Sequence, residues 1–243
     1  MLSLDRQNEW RERYRADHPG WQPATELFAD QVHSVLSSGG RLLDIGCGRG
    51  GLVEQLGHAT DRIVGVDPDF ISLAEHRLTR LPRAVALGDA LPFASNSFDV
   101  AIAGWLLEHL GDPVGALAAI RRVLRPGGYF IFITPNGRHP LGWANRMAGQ
   151  LGRTQGRLVD RLYGRAENDT FPTAYRANTP QTLARLAEQT GFSIVALDTV
   201  ADSTYLAFNR TLFTLMCALD DWLSADRRIH IVGVFRRPGH LTQ

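Results

Sequence analysis

Residues 42–51 read LLDIGCGRGG, and this stretch limits what the chain can fold into more than any other. An apolar run, Leu42 and Leu43 with Ile45, stops at a cluster of glycines, and a helix-compatible LVEQL follows. Strand, glycine turn, then helix is how a parallel α/β sheet builds a nucleotide pocket. Gly46, Gly48 and Gly50 lack the Cβ that would block a positive φ or hold a ligand off the backbone. A helix N-terminus then offers free N–H groups and a partial positive charge. Asp44, near the strand's carboxyl end, can turn its carboxylate to the ligand, and Cys47 lies inside the loop. Gly46-x-Gly48-x-x-Gly51 also fits the dinucleotide fingerprint, so the rest of the chain must decide which cofactor the loop serves.

Downstream, 62–67 (RIVGVD) reads as a short strand ending in an acid. Its spacing from the loop suits a carboxylate for two ribose hydroxyls, a role that falls to Asp67 with Pro68 beside it. An Asp capping the next helix, expected over 70–80 with Asp69 at its start, is compatible with that role. A third strand at 84–87 leads into GDALPF, with Asp89, Ala90 and Leu91. FDVAIA (98–103) is a fourth strand, followed by Gly104, Trp105 and LLEHL. An amphipathic helix over 114–124 ends at Pro126-Gly127-Gly128, where the glycines turn tightly into a fifth strand at 129–134.

Acidic-x-Gly-x-Gly-x-Gly, Asp67, GDALPF before the fourth strand, LEHL after it and LRPGGYFIFITPN together resemble class I S-adenosylmethionine (SAM)-dependent methyltransferases. The resemblance covers about residues 25–134. It implies a doubly wound, seven-stranded, mostly parallel α/β sheet with the last strand antiparallel, helices on both faces and helical cap insertions. It implies SAM as cofactor and S-adenosylhomocysteine as product. It places the loop backbone under the methionine portion with Asp44 beside it, Asp89 at the adenine amino group with Ala90 and Leu91 on the ring, and Gly104 and Trp105 near the sulfonium. Nicotinamide dehydrogenases do not usually carry the PGG segment.

On this reading the 243 residues form one methyltransferase domain. Residues 1–40 form an N-terminal helical lid, with a helix over 25–36, and Tyr14 and Trp21 either line that lid or staple it to the core. Residues 41–134 are the SAM-binding core. Residues 135–178 are a variable cap rich in arginine (Arg138, Arg146, Arg153, Arg157, Arg161, Arg165, Arg176). That cap is either a solvated helix or a patch for an anionic substrate, and Tyr175 and Arg176 are acceptor-site candidates. Residues 179–243 complete the sheet. They hold a helix that opens at Pro180, with Thr179 as N-cap and Gly191 after its end, strands at 192–200 and 228–236, and a helical insertion at about 204–224. Tyr205, Phe208, Leu212, Met216, Leu219 and Leu223 share one face of that insertion.

Composition sets further bounds. All 26 basic residues are Arg, so Schiff-base chemistry and a P-loop lysine are excluded. A net charge of +1 argues against a nucleic-acid partner. Two distant cysteines fit neither a disulfide framework nor a zinc site, and no metal is expected. With no apolar leader and no run of membrane-spanning length, the expected setting is cytoplasmic, with a homodimer left open.

Methyl transfer is an in-line displacement, so the protein's main task is alignment. A hydroxyl acceptor also benefits from a general base. His109, after the fourth strand, and His139, after the fifth, are the candidates, each weighed against a purely structural role. The acceptor is expected to be a small molecule, with O-methylation slightly favoured over N- or C-methylation. A non-catalytic SAM-binding protein and a nicotinamide oxidoreductase are the competing classes.

Overall fold

The computed structural model describes residues 4–143, 173–204 and 207–239. Strands β1 (Leu42–Ile45), β2 (Ile63–Asp67), β3 (Arg83–Val85), β4 (Phe98–Gly104), β5 (Leu124–Pro135), β6 (Ser193–Val200) and β7 (His230–Arg236) form one sheet. Their order is β3-β2-β1-β4-β5-β7-β6. The pairs from β3 through β5 are parallel, whereas β7 runs antiparallel between β5 and β6. This is the seven-stranded class expected from the motifs.

Alternation along the strands splits the core into two layers. Leu43, Ala101, Phe130 and Phe235 face one way, against α5 (Pro113–Val123) and α6 (Pro180–Thr190). Leu42, Val100, Ile131 and Val234 face the other, against α2 (Ala24–Val35). Both central strands are therefore apolar on both faces, as a covered parallel sheet requires. A third cluster ties α1 (Leu4–Asp17) to α7 (Arg210–Trp222), with Trp10 stacked on Phe213 at 4.5 Å.

Capping follows the sequence closely at α6. Thr179 accepts from the Thr182 N–H, Pro180 opens the helix and Gly191 closes it in the left-handed region at φ 72°. Other boundaries move. α3 is one turn (Leu52–Gln55), and α4 spans only Phe70–Ala74 instead of 70–80. There the Arg77 N–H leaves the helical ladder and bonds the Arg49 carbonyl at 3.0 Å, which ties this segment to the glycine loop. β3 stops at Val85, two residues early, and β5 begins at Leu124, so the PGG segment lies within the strand. The α7 helix starts at Arg210, because Asn209 caps it by accepting from the Leu212 N–H. Of the basic cap, residues 144–172 lie outside the described residues. Arg146, Arg153, Arg157, Arg161 and Arg165 are among them, as is Tyr205 of the C-terminal insertion.

Candidate functional site

The carboxyl ends of β1, β2 and β4 open onto a cleft of about 950 Å³ and a smaller one of about 230 Å³. Gly46, Gly50 and Trp105 line both, so the two spaces meet at the glycine loop.

The loop is built by hydrogen bonds to β2. The Gly46 and Cys47 N–H groups both donate to the Val66 carbonyl, at 2.8 and 3.1 Å. The Gly48 N–H donates to Asp67 Oδ2 at 2.9 Å, from a φ of 49° that residues with a Cβ rarely adopt. Asp67 Oδ1 accepts from the Asp69 N–H at 2.8 Å. Asp67 thus stands at the strand end with both oxygens oriented by backbone donors, while its side chain lines the larger cleft. At Gly104 the missing Cβ lets the Leu52 side chain close on the strand end, since a Cβ there would come 2.7 Å from Leu52 Cδ1.

Asp44 and Asp67 are both buried. Burial, and then the neighbouring Asp67 charge, push the Asp44 carboxyl up to about 7. Asp44, Cys47 and Gly104 line the smaller cleft, whereas Pro68, Gly48 and Asp89 line the larger one. Burial first, with Asp44 and Asp67 adding, raises the Cys47 thiol far above its usual value, so it stays protonated.

Opposite the loop, the 3₁₀ turn Leu107–His109 is pinned from below. Glu108 is buried, its Oε2 accepts from Thr134 Oγ1 at 3.0 Å, and Asn178 Nδ2 donates to that same Oγ1 at 2.6 Å. The Glu108 carbonyl accepts from the N–H groups of Ala174 (2.7 Å) and Tyr175 (3.0 Å), and Arg176 Nη1 donates to the Gly111 carbonyl at 2.7 Å. Tyr175 (φ 50°) and Arg176 therefore brace the cleft wall from behind.

Several expected site residues are relocated. Leu91 is buried in the main core and does not line the cleft, because β3 ends early and Ala86, Leu87 and Gly88 take that wall. Ala90 is exposed and also absent from the lining. His139 is fully buried away from both clefts. Its Nδ1 accepts from the Leu141 N–H at 3.2 Å, and its Nε2 lies 3.8 Å from Asp220 Oδ1 on α7. With Nδ1 occupied, His139 has no lone pair for a substrate proton. Tyr14 and Trp21 pack edge to face at 4.8 Å in the cluster with Ala201 and Phe213, and neither lines either described cleft. His109 does line the larger cleft, where its N–H donates to the Leu106 carbonyl at 2.9 Å.

Sequence reading missed Arg49 and Arg77, both in the cleft wall. Arg49 Nε pairs with Glu75 at 2.6 Å and Arg77 Nε with Glu54 at 2.7 Å. Arg49 could have been found, since it interrupts the glycines. Arg77 could not, because only the early end of α4 brings it there.

SAM fits this arrangement. The glycine loop admits close backbone approach, ordered acids stand at successive strand ends, and a buried carboxylate pair invites a ligand cation. The fold is that of the Rossmann-like, class I SAM-dependent methyltransferase domain. Residues 43–132 match the methyltransferase domain family, and the chain carries a domain of that kind. A ubiquinone biosynthesis O-methyltransferase of Cereibacter sphaeroides (strain KD131) is 34% identical over 141 residues, 56% of this chain and 57% of that protein. An uncharacterised methyltransferase of Mycobacterium leprae (strain Br4923) is 30% identical over 174 residues, 68% of this chain and 64% of that one. The chain thus spans less than two thirds of these relatives. A SAM-dependent methyltransferase structure from Thermotoga maritima, described as a possible histamine N-methyltransferase, superposes with TM-score 0.60 at 18% identity. It covers 96% of this chain and 98% of that one. Among the described residues no helix is long and apolar enough to cross a membrane.

Proposed function

We propose that the chain moves a methyl group from SAM to a hydroxyl of a small-molecule acceptor, in the cytoplasm and without a nucleic-acid partner. The observation that carries this is the meeting of two clefts at Gly46, Gly50 and Trp105, one ending at Asp67 and Asp89, the other at Asp44. Asp67 would take the ribose hydroxyls and Asp89 the adenine amino group. Asp44 would face the methionine ammonium, with the Gly46–Gly50 backbone beneath it and Cys47 at its side. When bound, SAM supplies a methyl carbon already activated by its sulfonium. The chain's own residues then contribute orientation and dryness. Leu106 and the buried Glu108 turn close the cleft wall, and Trp105 stands where the clefts join. Alignment of this kind supplies most of the acceleration in a displacement that needs no protein nucleophile.

Support for oxygen as the acceptor atom comes from the Cereibacter relative's name, while the Thermotoga structure's name speaks of nitrogen. Isothermal titration with SAM, S-adenosylhomocysteine and NAD, followed by transfer of a radiolabelled methyl group into small molecules of a cell extract, tests the reading. NAD binding without a SAM signal overturns the cofactor. SAM binding without any transfer makes the chain a binder.

A further inference from the structure

Gly46, Gly50 and Trp105 line both clefts, and of these Trp105 alone has a side chain. The carboxylates are divided between the two spaces. Asp44 lines the smaller cleft, Asp67, Asp89, Glu108 and Asp112 line the larger, and among the described residues no acid lines both. The junction is therefore walled by glycine backbone and one aromatic residue.

Trp105 is fixed there from several directions. It follows Gly104 at the end of β4, and its N–H donates to the Ile133 carbonyl of β5 at 2.9 Å. Its side chain packs against the apolar layer under α2, yet the residue stays partly exposed. The ring also meets that of His230 edge to face, with centroids 5.0 Å apart and planes at 70°. His230 opens β7 and lies 3.7 Å from Asp202, the carboxylate that Arg11 of α1 reaches at 3.3 Å. The Trp105 backbone sits at φ 57°, a conformation that glycine enters freely and a bulky residue seldom adopts. Such outliers persist where their surroundings over-determine them, and they cluster at ligand sites.

SAM joins an adenosine to an amino acid through a positively charged sulfur. With adenosine toward Asp67 and Asp89 and the ammonium toward Asp44, the sulfonium falls at the junction. A cation taken out of water needs negative potential facing it, and the junction holds no carboxylate. The face of an aromatic ring offers that potential through its quadrupole, and indole does so best among side chains.

We propose that Trp105 recognises the charge on sulfur, so that the site tells SAM from neutral S-adenosylhomocysteine. The two ligands share their adenosine and amino-acid ends, which Asp44, Asp67 and Asp89 meet alike. They differ at sulfur, by one methyl group and one positive charge. That charge is present before transfer and gone after it, so attraction to the ring favours reactant over product. Trp105 thereby promotes loading and product release, and this attraction does not itself lower the barrier. The inference rests on the placement of SAM proposed above.

Titration calorimetry on the full chain tests it with three ligands. They are SAM, S-adenosylhomocysteine and sinefungin, in which an ammonium on carbon replaces the methylated sulfonium. Trp105→Leu should weaken SAM and sinefungin by roughly three- to thirtyfold and leave S-adenosylhomocysteine within about twofold. Lost packing or disturbed folding would weaken all three together. Trp105→Phe, with a weaker ring, should lie between parent and Trp105→Leu for the two cations, and it carries the test if Trp105→Leu fails to fold. Equal losses for all three ligands, or undiminished SAM affinity in Trp105→Leu, overturn the charge-sensing role alone. A parent that binds none of the three overturns the SAM placement and this inference with it.

Discussion

Asp44→Asn isolates the electrostatics of the glycine loop. In the folded chain the Asp44 carboxyl is raised from 3.8 to about 7, by burial first and by Asp67 second. A raised acid means that the folded state holds its proton to higher pH than the unfolded chain does. Stability from this group is therefore lost as pH rises from about 4 to 7, and above 7 the full cost is present. Raising a carboxyl from about 4 to about 7 costs about 4 kcal/mol, since each tenfold change in proton affinity is worth about 1.36 kcal/mol. Asparagine, nearly isosteric and always neutral, removes that cost. At pH 8 the ligand-free variant should be more stable by up to about 4 kcal/mol, on the order of 10 °C in Tm for a domain of this size. At pH 4, where the parent carboxyl is protonated in the fold, the two should nearly coincide. SAM should reverse the order, since its ammonium stabilises the Asp44 anion and finds no counter-charge in the variant. A weakening of SAM affinity by about tenfold or more, near 1.4 kcal/mol, is expected. Thermal melts at both pH values, with and without SAM, make the measurement. A variant no more stable than the parent at pH 8, or equally stabilised at pH 4 and 8, would refute the argument.

Asp67→Ala removes both the proposed ribose contact and the acceptor of the Gly48 N–H, so SAM affinity should fall about a hundredfold in titration calorimetry while the far-UV spectrum is retained. Unchanged affinity would mean the ribose site is misplaced. Leu91→Ala should cost about 2–5 kcal/mol in urea unfolding, as a core cavity does, and leave SAM affinity within about twofold. A selective loss of SAM affinity would return Leu91 to the adenine ring. His109→Ala should raise KM for SAM more than it lowers kcat, because the residue lines the larger cleft together with Asp67 and Asp89. A hundredfold fall in kcat at saturating SAM would instead make His109 the base.

Much of the cofactor half was legible in the primary structure because its signals are local. The positive φ angles of the loop demand glycine, Thr179 with Gly191 bounds α6, and two-faced apolar runs mark buried parallel strands. Asp44 and Asp67 stand at strand ends, so their placement in the clefts followed from strand boundaries, whereas Asp89, beyond the end of β3, was placed by the resemblance that GDALPF carries. Leu91 shows the limit: β3 ends two residues early, and a side chain two positions past Asp89 turns into the core. His109 and His139 were indistinguishable as residues following strands. Only packing shows that the first lines a cleft and the second is enclosed against Asp220.

The cofactor loop, the class of the sheet and the order of its acids are all written in the primary structure, because each depends on backbone preferences and periodicities a few residues long. Which distant side chains share the carboxyl edge is a property of the assembled fold. β7 inserts antiparallel between β5 and β6, and that register carries His230 to Trp105 while α1 and the end of β6 deliver Arg11 and Asp202. No local pattern encodes that meeting, since it depends on strand order and register, which are settled only when the two faces of the sheet are buried together.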